Sequence, residues 1–163
     1  KKQAEIISSW HPNIYVKIPI TNSKKESTID IIKELNANEI KCNVTAIFTL
    51  DQIKSLKSIN NKTECILSIF AGRIADTGVD PEPIMSNIVD YFKKNKNIKI
   101  LWASPREILN IFQAINSNCH IITIAKDIIN KLDSIDKNLE DFSLETVKMF
   151  YNDAIKAGYK INN

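Results

Sequence analysis

The segment Ile98-Lys99-Ile100-Leu101-Trp102-Ala103-Ser104-Pro105-Arg106-Glu107 changes character halfway through. Residues 98–103 form a short apolar run and read as a strand. Ser104-Pro105 then punctuates it. A serine at the cap, proline at the first helical position and Glu107 at the third predict a helix over 105–115. Working outward, the same switch recurs in both directions. Strands are predicted at 14–19, 40–48, 64–70, 98–103 and 120–125, after a helix that opens the chain. Helices are predicted at 27–36, 49–58, 83–94, 105–115, 126–132 and 143–157. Ser27, Thr49 and Ser143 are the expected caps, and Gly158 the expected stop. A polar loop, 75–81, holds Gly78, one of only 3 glycines.

Strands alternating with helices imply βαβ units and a parallel sheet, hence an α/β domain spanning residues 1–163. The strands are apolar on both faces, as expected when helices cover one side and a barrel interior the other. At 163 residues the chain is short of the roughly 250 typical of a complete (β/α)8 barrel. A five-stranded doubly wound sheet would fit the length alone.

Composition narrows the function classes. The 22 basic and 19 acidic residues are mixed along the chain and leave a net charge of +3, with no basic stripe for nucleic acid. Lys93-Lys94-Asn95-Lys96 reads as a solvated helix end. No apolar run approaches the roughly 20 residues of a membrane helix. Cys42, Cys65 and Cys119 are widely spaced, odd in number and set beside strand-like segments. They read as buried reduced thiols, which points to the cytoplasm. Neither His11 nor His120 has a metal-site spacing, so both read as structural and no metal is expected.

The polar residues that interrupt the strands are the chemical signal. Side chains alternate faces along a strand. Tyr15 and Lys17 then share a face, as do Asn43 and Thr45, Ser68 and Phe70, and Trp102 and Ser104. Four successive strands thus carry a polar residue near the C-terminal end, where α/β barrels build their sites. Alone, Lys17 fits a lysine whose stem is buried and whose amine reaches water. It fits equally an amine held neutral by a desolvated pocket and able to attack a ketone. Arg73 and Arg106 each follow a strand; either alone fits a surface ion pair, and together they suit a phosphate.

With these residues in view the sequence resembles the transaldolase family of Schiff-base sugar-phosphate enzymes. Val16-Lys17-Ile18-Pro19-Ile20-Thr21 is similar to the family's lysine strand. Asn43-Val44-Thr45-Ala46-Ile47-Phe48 with Gln52 is similar to the strand after it. Ser68-Ile69-Phe70-Ala71-Gly72-Arg73-Ile74 with Asp76, and Ala103-Ser104-Pro105-Arg106, resemble the next two. Ile69 stands where the family has proline, and Ala71 where it has a larger apolar residue. The likeness runs from Trp10 to Leu132.

The resemblance implies a (β/α)8 TIM barrel of which this chain carries about the last five units. It implies transfer of a dihydroxyacetone unit between sugar phosphates in the pentose phosphate pathway, without a cofactor. Lys17 would form the imine, Asn43 and Ser68 would hold the donor's hydroxyls, and Thr45 would help hold a proton-shuttling water. Arg73, Ser104 and Arg106 would bind phosphate and Phe70 would line the pocket. Related aldolases that use free dihydroxyacetone tend to carry tyrosine at the Phe70 position. A fructose-6-phosphate aldolase-like lyase and a non-catalytic barrel fragment are the alternatives. Family members open with three strands bearing an Asp, an Asn and a Glu or Gln of the proton relay, which this sequence does not contain. The expected partners are sugar phosphates and either a second copy or a complementary N-terminal barrel segment, with no nucleic acid and no membrane.

Overall fold

The computed structural model describes residues 1–59, 63–158 and 160. After a helix α1 (Lys2–Ser8) come strands β1 (Val16–Pro19), β2 (Cys42–Ile47), β3 (Cys65–Ile69), β4 (Ile98–Trp102) and β5 (Ile121–Ile122). All pair in parallel in the order β1-β2-β3-β4-β5. Between them lie α2 (Ile29–Ala37), α3 (Leu50–Ser55), the short α4 (Ala71–Ala75), α5 (Glu82–Phe92) and α6 (Leu109–Asn116); α7 (Lys126–Ile129) and α8 (Leu139–Ala157) follow β5. The two-residue β5 is shorter than its sequence suggests.

Strand order separates the two architectures that the length left open. A doubly wound sheet reverses its order at a switch point so that helices fall on both faces. Here the order never reverses. One face carries Val16, Cys42, Val44, Cys65, Leu67, Ile69, Ile98, Ile100 and Trp102, all buried. They pack with Ile32 and Leu35 of α2, Ile53 of α3, Met85, Ile88 and Phe92 of α5 and Ala114 of α6. Helices on one face of a sequentially ordered parallel sheet form a segment of a barrel wall, in keeping with a (β/α)8 fold. Burying a medium-sized apolar side chain is worth about 1.5–3 kcal/mol, so this face supplies the main driving force of the fold.

Local sequence sets the element ends. Thr49 opens α3 with a reciprocal capping box to Gln52, and Gly158 ends α8 in the left-handed region at φ 67°. Three predicted caps are wrong: Thr28, not Ser27, precedes α2. Asn138, not Ser143, starts α8; its side chain accepts from the backbone N–H groups of Glu140 and Asp141. Ser104 does not cap α6, which begins only at Leu109. Instead Asn110 Oδ1 accepts from the N–H of Arg106 at 2.6 Å and of Glu107 at 3.3 Å, holding residues 105–108 as a non-helical loop.

The face opposite the helices also needs one correction. The register pairs Ser68 with Leu101, and Ile69 with Trp102. Trp102 therefore sits on the helix side with Ile98 and Ile100, and Leu101 and Ala103 share the face of Ser68. The predicted pairing of Trp102 with Ser104 on the polar face does not hold. Ser104 lies beyond the strand at φ 59°, where strand alternation no longer applies.

Among the described residues no helix is long and apolar enough to cross a membrane. Cys42 and Cys65 are buried and Cys119 half-buried, all as free thiols. Burial pushes Cys42 up to about 11 and Cys119 to about 12, and Cys65 to about 12 with its neighbour Cys42 adding.

Candidate active site at the strand ends

Opposite the helices lies a face built from alternate residues of the same strands. Lys17, Asn43, Ile66 and Lys99 form one row across β1 to β4 by register. One step toward the C-terminal ends stand Pro19, Thr45, Ser68 and Leu101. This face mixes polar and apolar residues: Lys17 is exposed and Asn43 half-buried, while Thr45, Ser68 and Leu101 are buried. β1 is the edge strand of the sheet, and an open cleft beside it is lined by Lys17 and Pro19 together with Ala4 and Ile7 of α1.

A bulge in β2 keeps the second row in place. Val44 pairs with Leu67 and Ile47 with Ile69, so two residues of β2 oppose Ser68 alone. Ala46 is the extra residue, held at φ 58°. The bulge lets Asn43 and Thr45 share the open face while Ile47 returns to the core. Ser68 Oγ donates to Asn43 Oδ1 at 2.7 Å, which fixes the amide and leaves its Nδ2 as the donor. Thr45 Oγ1 is buried with no hydrogen-bond partner among the described residues. A buried hydroxyl in a polar row is normally satisfied by water or ligand.

The loops after β3 and β4 carry the cations. Phe70 follows β3, half-buried, with its ring 5.5 Å from that of Phe48. Arg73, on α4, lies with its guanidinium carbon 5.1 Å from the Phe70 ring centre, a stacking distance. Arg106, beyond β4, donates from Nε to Asp76 Oδ1 at 3.1 Å and from Nη2 to Oδ2 at 2.6 Å. Those bonds hold the Asp76 carboxyl below its ordinary range, and the charge of Arg73 adds to the effect against burial. Gly72 locks the two loops together. Its N–H donates to Ala103 O at 3.2 Å, and a Cβ at this position would fall 1.5 Å from Ser104 O. Only glycine permits that approach.

The structure thus aligns Lys17 with Asn43, bonds Asn43 to Ser68, stacks Arg73 on Phe70 and brings Arg106 to the same pair of loops. Ser104 takes part through its backbone, pressed against Gly72. Three residues that frame the site were not singled out for it: Gly72, Asp76 and Asn110. Asp76 stood in a recognised motif without a role. Asn110 had a usable signal, an Asn four residues after the Arg whose loop it ties.

The family described as Transaldolase/Fructose-6-phosphate aldolase matches residues 1–162. Among curated proteins, a "Probable transaldolase 2" of Listeria monocytogenes is 34% identical over 147 residues, 86% of this chain and 63% of the relative. A "Probable transaldolase" of Clostridioides difficile is 31% identical over 145 residues, 86% of this chain and 64% of the relative. One of Herpetosiphon aurantiacus is 28% identical over 148 residues, 88% of this chain and 64% of the relative. The chain spans slightly less than two thirds of the length of these relatives.

Proposed function

Given that this chain belongs to the transaldolase/fructose-6-phosphate aldolase family, we propose that it carries the imine-forming and phosphate-binding half of a transaldolase-type site. The Lys17 amine attacks the ketone of a donor sugar phosphate. Water leaves, and the protonated imine draws electrons from the bond between the α and β carbons; the β-hydroxyl gives its proton to water as that bond breaks, leaving an enamine on Lys17. An aldehyde departs, and the dihydroxyacetone unit stays on Lys17 until a second aldehyde takes it up. Asn43 Nδ2 and Ser68 Oγ bind donor hydroxyls; Thr45 Oγ1 holds the water that carries protons. Arg73, Arg106 and the Ser104 loop take the phosphate. The resemblance also implies a catalytic Asp and a Glu or Gln that works with the relay water; proton transfer of this kind contributes about 10²–10⁴-fold in rate.

The observation that carries this reading is the row Lys17–Asn43 with Ser68 bonded to Asn43, three adjacent strands presenting an amine, an amide and a hydroxyl on one face. Phe70 supports transfer over simple cleavage, since the related aldolases tend to carry tyrosine there. Action in the pentose phosphate pathway follows from the same reading, and the free thiols support a place in the cytoplasm. The test is covalent. The full gene product, incubated with fructose 6-phosphate and borohydride, should gain one sugar-phosphate adduct. Peptide mapping should place it on Lys17, and Lys17→Met should gain none. A full gene product that forms no adduct would exclude the imine chemistry.

A further inference from the structure

We propose that Asp76 is a positioning residue: its carboxylate sets the plane of the Arg106 guanidinium, and this makes the site prefer a phosphorylated sugar over the same sugar without phosphate. The proposal rests on the reading of Arg73 and Arg106 as phosphate ligands.

Three observations carry it. The first is geometry. Asp76 and Arg106 meet fork to fork, both carboxylate oxygens engaged, from loops 30 residues apart. Such a pair fixes the orientation of a planar guanidinium, which a single contact does not. The bonds use Nε and one N–H of Nη2. They set the direction in which the Nη1 end points. The second is energetic. The side chains are 51% and 49% exposed. Exposed ion pairs contribute little to stability, so the fold gains little from two residues held this way. The third is that Arg106 is held at both ends. Its backbone N–H is fixed by the buried Asn110, and Asn110 is itself bonded to Gln113 at 2.8 Å. Arg73 is likewise held, by the Phe70 ring. Both cations are ordered in advance by groups that cannot themselves bind phosphate, which lowers the ordering cost when a phosphate arrives. The carboxylate also offsets one of the two positive charges, so the pocket gains specificity by direction and not by charge alone.

The experiment measures binding of fructose 6-phosphate and of fructose by calorimetry to the full gene product. Its variants are Asp76→Asn, Asp76→Glu, Arg106→Ala and the double variant Asp76→Asn/Arg106→Ala, with urea midpoints as the fold control. Asp76→Asn should weaken fructose 6-phosphate about tenfold, the size usual when a group that orients a binding residue is lost. Fructose binding and the urea midpoint should not move. Asp76→Glu should recover most of the loss. In the Arg106→Ala background, Asp76→Asn should have no further effect. Unchanged or tighter fructose 6-phosphate binding by Asp76→Asn would overturn the proposal, as would an equal loss for both sugars or a loss that persists without Arg106. Failure of the underlying phosphate reading looks different: the unaltered protein would then bind fructose 6-phosphate no better than fructose.

Discussion

On one face of the sheet Val44, Leu67 and Ile100 lie side by side with no exposed surface. One residue along, on the other face, Asn43 bonds Ser68, and the exposed Lys17 stands in the same row as Asn43. Alternate residues of the same strands therefore serve opposite ends. The helix-covered face is saturated with apolar contacts and holds the chain together. The other face mixes buried Thr45, Ser68 and Leu101 with the half-buried Asn43 and the exposed Lys17, and it carries the polar groups of the sheet. Apolar packing and the polar row proposed as the site are separated by a single step along the backbone, so neighbouring substitutions should have unlike consequences.

The largest contrast is expected at two adjacent positions. Leu67→Ala should cost about 2–5 kcal/mol in urea unfolding, because it opens a cavity beneath the helices. Ser68→Ala, next to it, should cost about 1 kcal/mol, the value of one hydrogen bond, and should act mainly on sugar binding. Equal losses at the two positions would mean that the faces are not separate in this way.

A smaller effect should appear with pH. The two thiols of the helix side, Cys42 and Cys65, are pushed up to about 11 and about 12 from 9.0. The native state then keeps protons that the unfolded chain gives up. Stability is fully present below about pH 9 and falls as pH rises toward 11–12, by up to about 1.4 kcal/mol per unit for each thiol. Tyr15 pulls in the same direction, raised to about 12 chiefly by its hydrogen bond to Glu64. Urea midpoints at pH 8 and 10.5 check the fall, and Cys42→Ala should reduce it.

The smallest effect concerns the bulge that keeps the faces apart. Ala46 is held at φ 58°, a backbone that costs a non-glycine residue about 1–2 kcal/mol. Ala46→Gly should relieve part of this and raise the urea midpoint slightly, by about 0.5 kcal/mol once the unfolded chain's added freedom is counted. Ala46→Val should lower it.

Much of this contrast is visible in the sequence. Strand and helix alternate with clear periodicity, and Lys17, Asn43, Thr45 and Ser68 stand out as polar residues in apolar runs. What escaped lies where local pattern carries no polarity. Leu101 and Trp102 are both large, apolar and buried, so alternation gives no sign of which faces the helices, and Trp102 lies on the helix side against expectation. The bulge at Ala46 and the left-handed Ser104 occur without glycine, the usual marker. Ser104-Pro105 imitates a helix start, but the helix waits for Leu109 because Asn110 bonds the intervening loop. The Asp76–Arg106 pair joins residues 30 apart and depends on how two loops dock, which no local window contains.

The close approach of Gly72 to Ser104 has a consequence for engineering. Because the two loops meet with no space for even a methyl group, they behave as one casting with a seam. Arg73 and Asp76 lie on one side of that seam and Arg106 on the other. A graft that imports only one loop from another protein brings a surface cut for a different mate, and the guanidinium directions go with it. Selectivity at this end of the sheet should transfer only when both loops move together, with glycine retained at the joint.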